Sequence, residues 1–236
     1  MRSETGKKSE DAGHAEPKTL EADVRRTVEK GEDIQENVRR LTLTALGGEP
    51  LDLEILRRTM SAVVDGARDG IQQQIQETTA QAEMSRAKIS QAVAGLDSAL
   101  AQFAEASKLA MEEAAGQARK FSDEELARTR DGLEGLERLF LDTLQGSAST
   151  ADGQVGDALR DLAQHMERNG TAVGGQIKDA LETVGRQITT VGLIPFESGI
   201  KLAVASSDLI RKIATGVITA MIDPDKPDHS PKKSDD

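Results

Sequence analysis

Few side chains in this chain are of the kinds that do chemistry. Its three histidines are His14, His165 and His229. Asp161 precedes His165 by one helical turn, so the two would share a face and could offer a metal two ligands. A catalytic zinc or di-iron site needs three or more converging ligands, and no Glu-x-x-His pair occurs, so no metal site is expected. Acidic pairs stand at Glu112-Glu113 and within Asp123-Glu124-Glu125. General acid–base work needs carboxylates held in a cleft with displaced pKa values. The second cluster is already explained by helix capping and the first by a solvated face, so no catalytic residue is expected. Gly6-Lys7-Lys8-Ser9 has the end of a phosphate loop, but the loop's first glycine would lie before Met1 and no strand precedes it. Gly170, Gly174 and Gly175 likewise lack a flanking strand and a Lys-Ser pair. Asn169-Gly170-Thr171 matches a glycosylation sequon, with nothing else pointing to secretion.

The composition narrows the classes further. The 236 residues hold 30 Lys+Arg against 41 Asp+Glu, a formal net charge of −11. Cys, Trp and Tyr are absent, and the aromatics are Phe103, Phe121, Phe140 and Phe196. Without Cys there are no disulfides, thiolate nucleophiles or Cys-ligated clusters. An acidic chain without stacking aromatics is poorly built for nucleic acid, and no nucleic-acid partner and no cofactor are expected. The first ten residues carry no apolar run, so no signal peptide is expected. No stretch of about 18 uncharged apolar residues suggests a membrane span. The expectation is a soluble cytoplasmic protein, peripheral at most to a membrane or granule surface. Its core must be built from Leu, Ile, Val, Met and Ala, which suits long helices in bundles or coiled coils.

The elements that would position any site are helical almost throughout. Residues 1–18 and 223–236 read as disordered tails, the second punctuated by Pro224, Pro227 and Pro231. Helix one is predicted from Thr19, with Val24, Val28, Ile34, Val38, Leu41 and Ala45 at helical spacing, stopped by Gly47-Gly48 and Pro50. Helix two is predicted from Asp52. One apolar row recurs every eleven residues through Met60, Ile71, Ala82 and Val93; a parallel row runs Ala67, Thr78, Ile89, Leu100 and Met111. Eleven residues in three turns is about 3.67 per turn, so the face stays nearly straight or coils gently right-handed. Unbroken to Phe121, this helix would be ~100 Å long; a break at Gly95 or Gly116 would fold it back.

Phe121-Ser122-Asp123-Glu124-Glu125-Leu126 combines a capping box, Ser122 with Glu125, and a hydrophobic staple, Phe121 with Leu126. Helix three follows, with Leu133, Leu136, Phe140 and Leu144, and is predicted to end in a turn at Gly146-Ser147-Ala148-Ser149. Helix four resumes the eleven-residue rows, Val155-Met166-Ile177-Ile188 and Leu162-Val173-Val184. Its glycines make it marginal alone, dependent on a partner surface and bent near Asn169-Gly170. Gly66-x-x-x-Gly70 and Gly170-x-x-x-Gly174 would permit close helix approach.

Helix five follows Pro195 and runs to Ile222. Glu197, Lys201, Asp208, Arg211 and Lys212 fall on one face; Leu202, Leu209, Ile210, Ile213, Val217 and Met221 lie opposite. These six form the expected surface- or partner-binding face, although a helix packed in a bundle shows the same pattern. The Ala-, Thr- and Gln-rich face between Gln72 and Gln117 suits either a tight helix seam or shallow, reversible contact with an apolar surface.

Two stretches, Val24-Arg25-Arg26-Thr27-Val28 through Leu46 and Phe103 through Leu126 with Ala106-Ser107-Lys108-Leu109-Ala110, resemble a family of uncharacterised bacterial proteins of this length. The resemblance covers the first two-thirds of the chain and implies no activity or site residues. In composition and periodicity the chain also resembles bacterial phasins, helical proteins that coat polyester storage granules. The sequence therefore predicts an all-α protein of about five helices, an elongated bundle or coiled coil over 19–193 followed by an amphipathic helix over 194–222. The expected role is non-enzymatic: coating or scaffolding through the eleven-residue rows and helix five, by self-association, a helical partner, or an apolar granule or membrane surface. The alternative is a soluble homo-oligomeric coiled-coil interaction module without lipid contact.

Overall fold

Apolar residues every three or four positions, with Ala and Gly at the seams, dictate helices that must bury one stripe each. The computed structural model describes residues 17–47, 53–72, 79–116 and 123–191. Those residues form seven helices and no strand: α1 (Pro17–Lys30), α2 (Ile34–Leu46), α3 (Leu53–Gln72), α4 (Thr79–Gly116), α5 (Asp123–Thr150), α6 (Gly153–Asn169) and α7 (Ala172–Val191). The all-α reading holds. The two terminal stretches read as tails, apart from Pro17 and Lys18 in α1, and all of predicted helix five lie outside the described residues.

Three of the four predicted helices in this region are divided. Helix one breaks at Gly31-Glu32-Asp33, where Gly31 takes φ +76° and donates its N–H to Thr27 O at 3.1 Å, a left-handed helix stop. Asp33 then sits at φ 44° before α2. Helix two is not one rod. Gly70 lies against Val28 and Gly31 against Lys88. Three residues along α1 thus match eighteen along the α3–α4 stretch, which would span ~27 Å if straight. α3 and α4 are therefore separate helices that pack on one another. Gly95 is not the break; it is buried in mid-α4 beneath α2.

Helix three begins at Asp123, where the capping box places it, and passes through the predicted turn. Ser147 and Ala148 are buried there, and Ser149 satisfies its hydroxyl on Gln145 O at 2.8 Å, so the helix continues to Thr150. The bend expected in helix four is a complete break at Gly170, which takes φ +82°.

Neighbouring helices run in shared registers. Glu21 and Arg25 of α1 face Gly66 and Gly70 of α3. Leu53 and Arg68 of α3 reach Gly135 and Thr150 of α5. Arg86 and Asp97 of α4 meet Asp161 of α6 and the Ala172-Val173 backbone of α7. Each set advances equally on both partners, so the paired helices run parallel. The uninterrupted α4 thus lies alongside α6 and α7 taken as one broken line.

The core contains Val24, Val38, Met60, Leu96, Leu100, Phe140 and Leu159, among others. Of the eleven-residue rows, Met60, Ile71 and Val93, Ala67, Ile89 and Leu100, and Val155, Val173 and Ile177 are buried, with Leu162 and Met166 packed against the core. The sequence pattern suits these rows to a hydrophobic interface or to partner helices. Among the described residues the partner helices are the chain's own, each row finding a matching stripe within reach. The Ala-rich face of α4 does the same: Ala92, Ala99, Ala104, Ala106 and Ala110 are buried. A Cβ at Gly66 or Gly95 would collide with the carbonyl oxygen of Glu21 or Gln35, so Gly66-x-x-x-Gly70 is a close helix seam. Gly170 has open space around it and serves as a helix stop.

Candidate functional site

The polar residues that the fold does gather stand where α6 gives way to α7. A helix start leaves four backbone N–H groups without intrahelical partners. At the start of α7, Asp97 of α4 and the Thr171 cap account for the N–H groups of residues 172–175. Asp97, 7% exposed in the middle of α4, accepts from Ala172 N at 2.8 Å and Val173 N at 2.9 Å. Thr171 Oγ1 accepts from Gly174 N at 2.9 Å, the ordinary side-chain N-cap, and Gly175 N reaches Thr171 O at 3.3 Å. The Thr171 hydroxyl in turn donates to Glu137 Oε1 of α5 at 2.6 Å. The Glu137 carboxylate lies over Gly174, in the space that a side chain there would occupy.

Burial pushes the Asp97 carboxyl above the ordinary aspartate value. The Val173 and Ala172 N–H groups oppose that rise and the Glu137 charge adds to it. The cluster therefore clasps a helix end with two carboxylates and a hydroxyl. Both Asp97 oxygens and Glu137 Oε1 accept from backbone or hydroxyl donors, an arrangement suited to holding α7 against α4 and α5. Thr171 had a readable signal, since a Thr directly after Asn-Gly and before a resumed apolar row is an N-cap pattern. Asp97 and Glu137 had none, because their roles depend on residues 75 and 34 positions away.

A second polar feature is a groove of about 360 Å³ between α4 and α6. Ile89, Ala158 and Leu162 line it together with Arg86, Asp161 and His165. Arg86 and Asp161 approach to 3.5 Å, but both side chains are more than half exposed, so the pair contributes little. His165 faces Asn169, with Nδ1 3.1 Å from the amide nitrogen Nδ2, while that amide donates to His165 O at 2.8 Å. Asp161 and His165 thus share a groove but are engaged elsewhere. Among the described residues no three His, Asp or Glu side chains are arranged to hold a metal.

The other residues singled out from the sequence stand apart from one another. Glu112 is exposed, with Thr183 Oγ1 at 3.5 Å. Asp123, Glu124 and Glu125 open α5, as capping predicts. His14, His229 and the six residues of the expected binding face, Leu202, Leu209, Ile210, Ile213, Val217 and Met221, lie outside the described residues. No described helix is long and apolar enough to cross a membrane.

No curated protein and no solved structure matches the chain. Residues 10–224 match the profile of the Family of unknown function (DUF6781), so the protein belongs to that family.

Proposed function

We propose that this member of the family is a non-enzymatic scaffold that attaches through its C-terminal amphipathic segment, while the seven-helix bundle serves as its charged outer body. The observation that carries the reading is the burial of the eleven-residue rows inside the bundle. With those stripes used within the chain, attachment is assigned to the wide aliphatic face that the sequence pattern gives residues 194–222. That face, Leu202, Leu209, Ile210, Ile213, Val217 and Met221, carries basic residues opposite it, a composition suited to an interfacial helix. The occupant fits an apolar granule or lipid surface of the kind phasin-like proteins coat, and the net charge of −11 would keep coated particles apart.

Flotation with vesicles and with polyester granules tests this, using the full chain and a variant carrying Ile210→Glu and Ile213→Glu. The full chain should float with the particles and the double variant should stay in solution. Equal behaviour of the two, bound or unbound, rejects the segment as the attachment face. The homo-oligomeric coiled-coil alternative predicts a different result: no flotation, and a sedimentation mass of several chains that falls when the same two residues are changed.

A further inference from the structure

Asn169 ends α6 and Gly170 opens the joint to α7, and both are exposed. An asparagine followed by glycine is open to attack on its own side chain. The glycine nitrogen can reach the asparagine carbonyl carbon because no Cβ stands in the way. Here even a Cβ added at Gly170 would meet no other residue within 4 Å, its chain neighbours aside. The leaving nitrogen, Asn169 Nδ2, lies 3.1 Å from His165 Nδ1, within reach of a proton from the imidazole. Two restraints oppose the reaction: Gly170 N donates to Met166 O at 2.8 Å and Asn169 Nδ2 donates to His165 O at 2.8 Å, and the last turn of α6 must fray to free both.

We propose that Asn169 is a site of spontaneous deamidation, assisted by His165, and that the change modifies the joint that seats α7. In the first step the Gly170 N–Cγ bond of a succinimide forms as the Cγ–Nδ2 bond breaks. Imidazolium gives a proton to Nδ2, ammonia leaves, and the Gly170 amide proton restores the imidazolium. Water then opens the ring. Addition at the side-chain carbonyl yields aspartate; addition at the backbone carbonyl yields isoaspartate, with one more carbon in the main chain. Either product places a carboxylate at the C-terminal end of α6, where the helix dipole disfavours it. Isoaspartate also lengthens the connection to Thr171, the residue that caps α7 and bonds Glu137.

The test ages the full-length protein at neutral pH and physiological temperature. The tryptic peptide Asn169–Lys178 is followed by mass spectrometry, with an isoaspartyl methyltransferase to label the rearranged product. The expected result is steady conversion of amide to acid with a majority of isoaspartate. His165→Gln should slow it severalfold. Because His165 is exposed, that variant should keep its helical circular dichroism. Asn169→Gln, which cannot close the same ring readily, should leave the peptide unchanged. An intact Asn169 after a period in which the isolated peptide has converted would overturn the proposal, showing that the Gly170–Met166 bond protects the site. Equal rates in wild type and His165→Gln would remove the imidazole from it.

Discussion

Asp97 illustrates how one side chain can settle the fate of a helix it does not belong to. Replacing it with Ala would leave two N–H groups at the start of α7 without partners in a buried setting. The expected loss is about 1–3 kcal/mol of unfolding free energy, measured by urea denaturation. Asn at the same place retains one good acceptor and should lose less. The pH dependence follows from the upward shift of the carboxyl. The native state holds this proton more tightly than the unfolded chain does. The stabilising contribution is therefore complete below the unfolded aspartate value and is lost as pH rises through the native one. In Asp97→Asn that part of the slope should vanish. Glu36 has the opposite sign, since the Arg39 hydrogen bond lowers its carboxyl, so its contribution fades as pH falls.

The helices themselves turn on where a missing side chain is required and where it is merely tolerated. Gly66 and Gly175 both lie inside helices. Gly66→Ala drives a methyl group into the backbone of α1 and should destabilise by about 1–3 kcal/mol. Gly175→Ala meets open space and should stabilise by about 0.5–1 kcal/mol, since Ala is the better helix former. Opposite shifts in melting temperature for the two variants would verify this, and a loss in both would refute it. The same contrast explains what could be read in advance. Periodic rows are local, so helix content, core residues such as Leu100 and Val155, the start of α5 and the weakness at Gly170 were all legible. The stop at Gly31 was masked because Val28 and Ile34 nearly keep the spacing across it. The separation of α3 from α4 was hidden because the sequence between them is polar and Gln-rich, with neither Gly nor Pro to mark it. The Asp97–Glu137 clasp depends on α4 running parallel to the α6–α7 line and on α5 packing back along that line, which no local pattern encodes.

For the molecule as a whole, a buried apolar interior and an acidic total charge divide the labour between cohesion and repulsion. If the chain coats particles, their spacing depends on that charge. Salt should then matter: the Debye length is about 10 Å at 0.1 M and about 3 Å at 1 M. Particles carrying the protein should stay dispersed in dilute buffer and flocculate as sodium chloride is raised, as followed by light scattering. Flocculation that ignores salt would mean that something other than charge keeps them apart.

The side-by-side alignment of α4 with α6 and α7 has a consequence for how this protein can change over generations. Only Gly170 and Thr171 separate the two shorter helices. A single residue gained or lost between them would rotate everything downstream by about 100° about the helix axis. Val173, Ile177 and Ala180 would swing away from the interior together, and Asp97 would face the wrong amides. Side chains at this crossing can be exchanged one at a time, but its length is locked, so lineages should vary there in spelling and not in count.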